Sequence, residues 1–251
     1  MGEAQAVRAG VTAALDAVLS VLFAPACAAC DRPLDSPSRG PVCEHCWRSI
    51  LPLTPPLCDA CGDPLATWRK IDGVDRRCPR CRRQKRLVAM TRAAGSYDGA
   101  LRAIVHAFKY DGRRSLAAEL GRLMRTRGAD VLAGADVAVP VPLHRSRRRA
   151  RGFDQAADLA RHVGLPVVHA LRRLRPTAVQ ASLPAARRHA NVRDAFALER
   201  RRVSLDGRIV VLIDDVSTTG AMLEACARAL GEAGIREARA LTAARVVSAP
   251  R

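Results

Sequence analysis

From residue 86 onward the apolar positions alternate between two spacings. The flattest run is Ile209-Val-Val-Leu-Ile213, five apolar residues of which four are β-branched, which reads as a strand buried on both faces. Behind it, Leu223, Cys226, Ala227 and Leu230 recur at helical spacing, so Cys226 reads as a small core residue. Earlier in the chain, Val88 to Gly95 reads as a strand, and Asp98 as the N-cap of a helix that turns Leu101, Ile104, Val105 and Phe108 inward. Lys109 to Gly112 makes a turn, and a helix from about Ser115 turns Leu116, Leu120, Leu123 and Met124 inward. Asp136 to Pro142 and Val167 to Leu171 read as short strands flanking a helix with Ala156, Leu159 and Ala160 inside; Ala240 to Val247 is the last strand. Strands alternating with helices predict an α/β domain over 86–251, a mostly parallel sheet with helices on both faces.

Two segments break this rhythm. Residues 175–195 carry few apolar anchors, and a stretch of that length without a core pattern reads as a lid, with Asn191 and Phe196 where it docks again. Residues 1–26 read as an amphipathic helix, with Val11, Leu15, Val18, Leu19 and Leu22 on one face packing against the body. Glu3 and Asp16 interrupt it, no basic cluster precedes it, and it is too short to span a bilayer. The expectation is a cytoplasmic protein with no transmembrane segment.

The cysteines change the picture of residues 27–85. Eight of the nine form Cys-x-x-Cys pairs: Cys27 and Cys30, Cys43 and Cys46, Cys58 and Cys61, Cys78 and Cys81. Such pairs suit zinc far better than structural disulfides, because each turn aims two thiolates at one metal and two turns complete a tetrahedron. Two structural zinc sites of four cysteines each follow. Pairing in sequence is expected, with an interleaved order, Cys27 and Cys30 joining Cys58 and Cys61, as the alternative. A closed four-cysteine site has no open coordination position, so the module serves structure or recognition.

Composition adds a formal charge of +18, carried almost wholly by Arg; Lys occurs only at Lys70, Lys85 and Lys109. Such a charge fits an anionic partner, a nucleotide or a nucleic acid, or else an Arg-rich solvated surface. Aromatic residues make up 3% of the chain, too few for extensive base stacking.

The candidate chemistry gathers where the central strand ends, at Asp214-Asp215-Val-Ser217-Thr218-Thr219-Gly220-Ala221. Parallel sheets bind ligands beyond the carboxyl ends of their strands, often with a phosphate on the next helix N-terminus. Hydroxyls, backbone N–H groups and a glycine suit a phosphate, and paired acids suit hydroxyls or a metal. The stretch asks for a ribose phosphate. A second basic segment, His144-Arg145 to Arg151-Gly-Phe-Asp154-Gln155, follows another strand end and reads as an anion-binding edge.

Residues 214–220 resemble the phosphoribosyl-pyrophosphate (PRPP) loop of type I phosphoribosyltransferases. Taken with the double zinc ribbon, Tyr97…Lys109-Tyr110, Pro140-Val-Pro142…Arg151-Gly-Phe-x-Gln155 and Gln180…Leu183…Arg188…Asn191…Phe196, the chain resembles the ComF (ComFC/GntX-like) family over nearly its whole length. The resemblance implies a type I phosphoribosyltransferase-like domain behind the zinc module. In it Asp214 and Asp215 hold the ribose hydroxyls, and Ser217, Thr218, Thr219, Gly220 and Ala221 wrap the 5-phosphate. His144, Arg145 and Arg151 lie toward the pyrophosphate, Thr177, Gln180, Arg188 and Asn191 belong to the hood, and Mg2+ arrives with PRPP. The sequence departs from the family pattern at Met222, where a second Thr is usual, at Asp154, where Asn is usual, and at Thr218, where many relatives place an acid. No catalytic residue is named. Three functions compete: a PRPP-dependent transferase linked to DNA uptake, with an unassigned acceptor; a PRPP- or nucleotide-sensing module that binds single-stranded DNA and other uptake proteins; and a scaffold with a vestigial pocket.

Overall fold

The computed structural model describes residues 2–65, 76–175, 194–199 and 204–247. Its centre is a parallel sheet built from β1 (Val88–Ala93), β2 (Val137–Pro140), β5 (Ile209–Ser217) and β6 (Glu237–Arg245), in the order β1-β6-β5-β2. The central strand β5 pairs with β2 from Val137↔Val210 to Pro140↔Ile213, and with β6 from Ile209↔Glu237 to Ser217↔Arg245. Both neighbours being strands, β5 shows water no edge. Its side chains alternate between two cores.

Val211 and Ile213 join Leu241 and Ala243 of β6 beneath α4 (Gly99–Tyr110), α5 (Leu116–Arg127) and α8 (Gln155–Ala160), which contribute Leu101, Phe108, Leu120 and Leu159. Val210 and Leu212 face the opposite way, onto Leu223, Cys226 and Leu230 of α9 (Ala221–Gly231). Helices therefore cover both faces, and an unbroken apolar run is what such a strand needs. Asp98 caps α4, its carboxylate accepting from the Gly99 N–H at 2.7 Å.

Two expectations do not hold. Val167 makes only an isolated parallel bridge to Ala138, and the chain then turns away: Leu171–Arg173 (β3) pairs antiparallel with Phe196–Leu198 (β4). Pro166 just before this stretch and His169 within it favour no longer strand. The first helix, α1 (Gly2–Phe23), forms, but it presents its apolar face outward: Val11, Leu15, Val18 and Leu22 are all exposed. What docks instead is the polar Asp16, whose carboxylate accepts from the Ser38 N–H at 2.8 Å beside a one-turn 3-10 helix, Pro37–Arg39. Among the described residues no helix is long and apolar enough to cross a membrane.

The cysteine-rich segment, with its short helices α2 (Glu44–Arg48) and α3 (Pro79–Arg83), is packed onto this body. Ile50 joins the same core as Leu101, and Arg127 donates to the carbonyls of Ala94 (2.6 Å) and Ile50 (3.3 Å). Farther along, the Thr91 N–H of β1 donates to the Ala60 carbonyl at 2.8 Å. A Cβ on Gly62 would stand 2.6 Å from the Thr91 carbonyl oxygen, so the second ribbon meets the sheet backbone to backbone. Two further helices, α6 (Ala129–Leu132) and α7 (Arg145–Arg151), connect elements of the body.

Candidate functional site

The eight paired cysteines form two clusters, Cys27/Cys30/Cys43/Cys46 and Cys58/Cys61/Cys78/Cys81, with the four sulfurs of each within 4.8 Å of one another. The sequential pairing is the one formed. Sulfur pairs lie 3.9 Å (Cys27–Cys46), 3.8 Å (Cys30–Cys43) and 3.7 Å (Cys61–Cys78) apart. A zinc tetrahedron with 2.3 Å Zn–S bonds has an edge of about 3.8 Å, so the thiols fit the ion.

The two ribbons repeat one another. Cys27 N donates to Arg32 O and Cys58 N to Asp63 O, each at 2.8 Å, and the N–H groups of Cys43 and Cys78 reach the sulfurs of Cys27 and Cys58 at 3.3 Å. Those N–H groups favour thiolate. So does the Arg32 backbone and side chain beside Cys30, which lowers that thiol to about 6. Burial pushes Cys46 the other way, well above its ordinary value. Four thiols in contact ionise together only with a cation among them.

At the far end of β5 the paired acids differ in environment. Asp214 is buried, and its own carboxylate accepts from the Asp215 N–H at 2.8 Å. Burial first, then the neighbouring Asp215 charge, raises its pKa from 3.8 to about 8. Asp215 is held by Lys109 Nζ at 2.9 Å, with both side chains 14% exposed. Burial alone would lower Lys109, but the Asp215 and Asp214 charges outweigh it and raise its pKa. Burial and the neighbouring acid thus oppose a charge on Asp214, and one buried cation faces the pair. Such a pair can present both a donor and an acceptor to a diol.

Beyond the acids the chain forms a cup. Gly220 takes a left-handed conformation (φ 77°) and caps α9, and Thr219 Oγ1 accepts from the Ala221 N–H at 3.3 Å. Asp214, Ser217, Thr218, Gly220 and Ala221 line one small cleft. Met222 packs against the Leu223–Leu230 core, so the residue that replaces a hydroxyl serves the helix anchor.

The anion edge is a short helix, α7. His144 caps α7, its Nδ1 2.8 Å from Ser146 Oγ, and Gly152 ends it at φ 77°. Arg145 is exposed, and the Arg151 guanidinium stacks 5.0 Å above the Tyr110 ring. Asp154 caps α8 by accepting from the Ala157 N–H at 3.2 Å, and burial raises its carboxyl pKa. Its charge is therefore occupied by the helix. Thr177, Gln180, Arg188 and Asn191 lie outside the described residues.

Three residues of the site were not singled out by sequence reasoning: Lys109 as the partner of Asp215, Arg86 and Arg245. Arg86 Nε lies 3.2 Å from Glu224 Oε1 in the first turn of α9, and its Nη2 would stand 3.2 Å from a Cβ on Gly220. Arg245 Nη1 donates to Ser217 Oγ at 3.3 Å. Lys109 alone carried a signal, as one of three lysines in an Arg-rich chain.

Comparison with known proteins places this architecture. A family profile for the double zinc ribbon domain matches residues 18–82. The chain is 31% identical to the DNA utilization protein YhgH of Salmonella typhimurium over 222 residues, 81% of this chain and 89% of that one. It is 27% identical to competence protein F of Haemophilus influenzae over 210 residues, 80% and 88% of the two chains. Among solved structures it overlaps glutamine PRPP amidotransferase from B. subtilis at 25% identity and a TM-score of 0.34, over 51% of this chain and about a quarter of that enzyme. An overlap that low adds nothing to the strand order and register described above.

Proposed function

The chain belongs to the ComF family of competence and DNA-utilization proteins, and from that premise we propose that it binds PRPP with Mg2+ at the end of β5, in the service of DNA uptake or use. The observation that carries the reading is the acid pair Asp214–Asp215, neutralised by Lys109 and followed at once by a glycine-bearing loop that caps α9. Its two halves match the two halves of a ribose 5-phosphate. The acids take the 2- and 3-hydroxyls. The backbone and hydroxyls of Ser217, Thr218, Thr219, Gly220 and Ala221 take the 5-phosphate, aided by the helix N-terminus. His144, Arg145 and Arg151 supply charge toward the pyrophosphate.

A transferase reaction on this site breaks the bond from ribose C1 to the pyrophosphate oxygen and forms one from C1 to an acceptor. Pyrophosphate leaves with the bonding electrons, and positioning and charge stabilisation supply the catalysis. Thr218 is a poor general base, so the acceptor arrives already nucleophilic or brings its own base.

Calorimetric titration with PRPP and Mg2+ tests the reading: the wild type binds, and Asp215→Asn and Thr219→Ala weaken binding at least tenfold. An unresponsive wild type would leave the scaffold reading. Release of labelled pyrophosphate across a panel of acceptors separates transferase from sensor.

A second reading rests on α7, five arginines in seven residues with Arg145, Arg148 and Arg149 exposed. It is a surface for single-stranded DNA, and its binding falls steeply with salt because phosphates are being neutralised.

A further inference from the structure

β6 ends in a buried arginine. Arg245 is 1% exposed and sits opposite Ser217 in the parallel register of β5 and β6. Its backbone is pinned on both sides: its N–H donates to Gly95 O (2.9 Å), its carbonyl accepts from Tyr97 N (2.7 Å), and the next N–H, of Val246, donates to Ser217 O (2.9 Å). The guanidinium then faces two ways. Nη1 donates to the hydroxyl of Ser217, the first residue of the phosphate loop, and Nε pairs with Asp63 Oδ1. Nη2 is buried with no hydrogen-bond partner among the described residues.

Asp63 belongs to the second zinc knuckle. Its carbonyl accepts from Cys58 N at 2.8 Å, its Oδ2 takes Arg80 Nη2 at 3.1 Å, and the Cys61 sulfur lies 3.5 Å from the same oxygen. A continuous chain of contacts therefore runs from the Cys61 thiol and the Cys58 backbone through Asp63 and Arg245 to Ser217. The first ribbon lacks it. The position that matches Asp63, accepting from Cys27 N in the same turn, is Arg32.

We infer that Arg245 is a positioning residue for the phosphate loop, set in place by Asp63, so that metal at the second four-cysteine site and phosphate binding at residues 217–221 are coupled, while the first site is not. Ligating residues are held by the groups behind them, and losing such a group commonly costs a site roughly ten- to a hundredfold in affinity. Asp63 stands in that relation to the loop, one residue removed. When the second knuckle loosens, Arg245 loses its carboxylate, and a buried guanidinium without a partner moves to find one. The Ser217 hydroxyl loses its donor in the same step.

The ligand arm of the test rests on the ribose-phosphate reading above; the second arm does not. Ribose 5-phosphate affinity is measured by calorimetry on the full chain carrying two zinc ions. Hydrogen exchange of the peptide spanning 214–222 is followed before and after chelation. Asp63→Asn keeps the backbone turn and is expected to retain both metals, weaken ribose 5-phosphate about tenfold and speed exchange in the loop. Arg245→Met does the same, and Arg245→Lys, of similar length and packing but charged, recovers part of the loss, which a packing role alone does not explain. Arg32→Gln, compared at equal zinc content, leaves loop exchange unchanged. Unchanged exchange and affinity in Asp63→Asn and Arg245→Met would overturn the coupling, as would an equal response to Arg32→Gln. If the wild type ignores ribose 5-phosphate, the ligand reading falls and loop exchange still decides the relay.

Discussion

Asp214 destabilises the protein in which it sits, and the size of that effect follows from its surroundings. Its carboxyl is buried beside Asp215, and its pKa rises from 3.8 to about 8. A raised folded-state value means the native chain keeps a proton that the unfolded chain releases. Stability from this group is complete below about pH 4 and is lost as pH climbs to about 8, with a slope near −1.4 kcal/mol per pH unit in between. Across that window the loss is on the order of 5 kcal/mol, a large share of the 5–15 kcal/mol that holds a domain together. Asp214→Asn removes the titration while keeping the shape and the acceptor for the Asp215 N–H. The variant should match the wild type within about 1 kcal/mol near pH 4 and exceed it by several kcal/mol at pH 8. Urea denaturation followed by circular dichroism at pH 5, 6.5 and 8, at constant ionic strength and fixed zinc, measures the difference. An offset that does not grow with pH would mean Asp214 is ionised throughout, and the pair would then carry two charges. Under the proposed function the same variant loses ligand as it gains stability, the trade expected where a site keeps an unfavourable group because the ligand needs it.

Other perturbations read other parts of the structure. Lys109→Met strands the buried acid pair without its cation and should cost roughly 3 kcal/mol at pH 8 by urea denaturation; a cost under about 0.5 kcal/mol would show that solvent screens the pair. Gly62→Ala forces a Cβ into the Thr91 carbonyl at φ 71°, a left-handed penalty of about 1–2 kcal/mol with overpacking on top; the matching change in the first ribbon, Asp31→Gly, should be neutral or stabilising, since Asp31 already holds φ 57°. Native mass spectrometry should find two zinc ions per chain and one in Cys58→Ser, with a chelator stripping both and loosening the two ribbons; a wild type that carries one ion would break the two-site assignment.

What could be read along the chain was what short-range chemistry decides. Ile209 to Ile213 announces a strand covered on both faces, because few other structures bury five adjacent apolar residues. Asp98 announces a helix start through the acceptor it offers. The Cys-x-x-Cys turns announce metal, and interleaved pairing stands as the alternative to sequential pairing only because spacing does not say which turns meet. The errors came where burial decides. The face of α1 was chosen by its apolar stripe, yet the residue it buries is Asp16, whose carboxylate accepts from Ser38 N. The strand at 167–171 had apolar residues, but only Val167 reached β2 before the chain turned toward β4.

The site shows the same division more sharply. Asp214, Asp215 and the 217–221 loop lie in one unbroken stretch, and their chemistry was legible from residue type and order. Their partners lie elsewhere in the chain: Lys109 on α4 for Asp215, and Arg245 at the end of β6 for Ser217. No local pattern links them. The register of a parallel sheet does, since Ser217↔Arg245 follows from the pairing of β5 with β6. The tandem ribbons held one further clue. Aligned turn on turn, they match at every cysteine yet place Arg32 opposite Asp63, so duplicated knuckles with the same metal chemistry carry opposite charges. The backbone carbonyl that both positions offer to the cysteine N–H does not ask for that difference; Arg32 also favours the Cys30 thiolate, whereas the Asp63 carboxylate faces Arg245. A buried arginine against one ribbon and not the other does ask for it. That makes the second knuckle part of the phosphate loop's support as well as a zinc site.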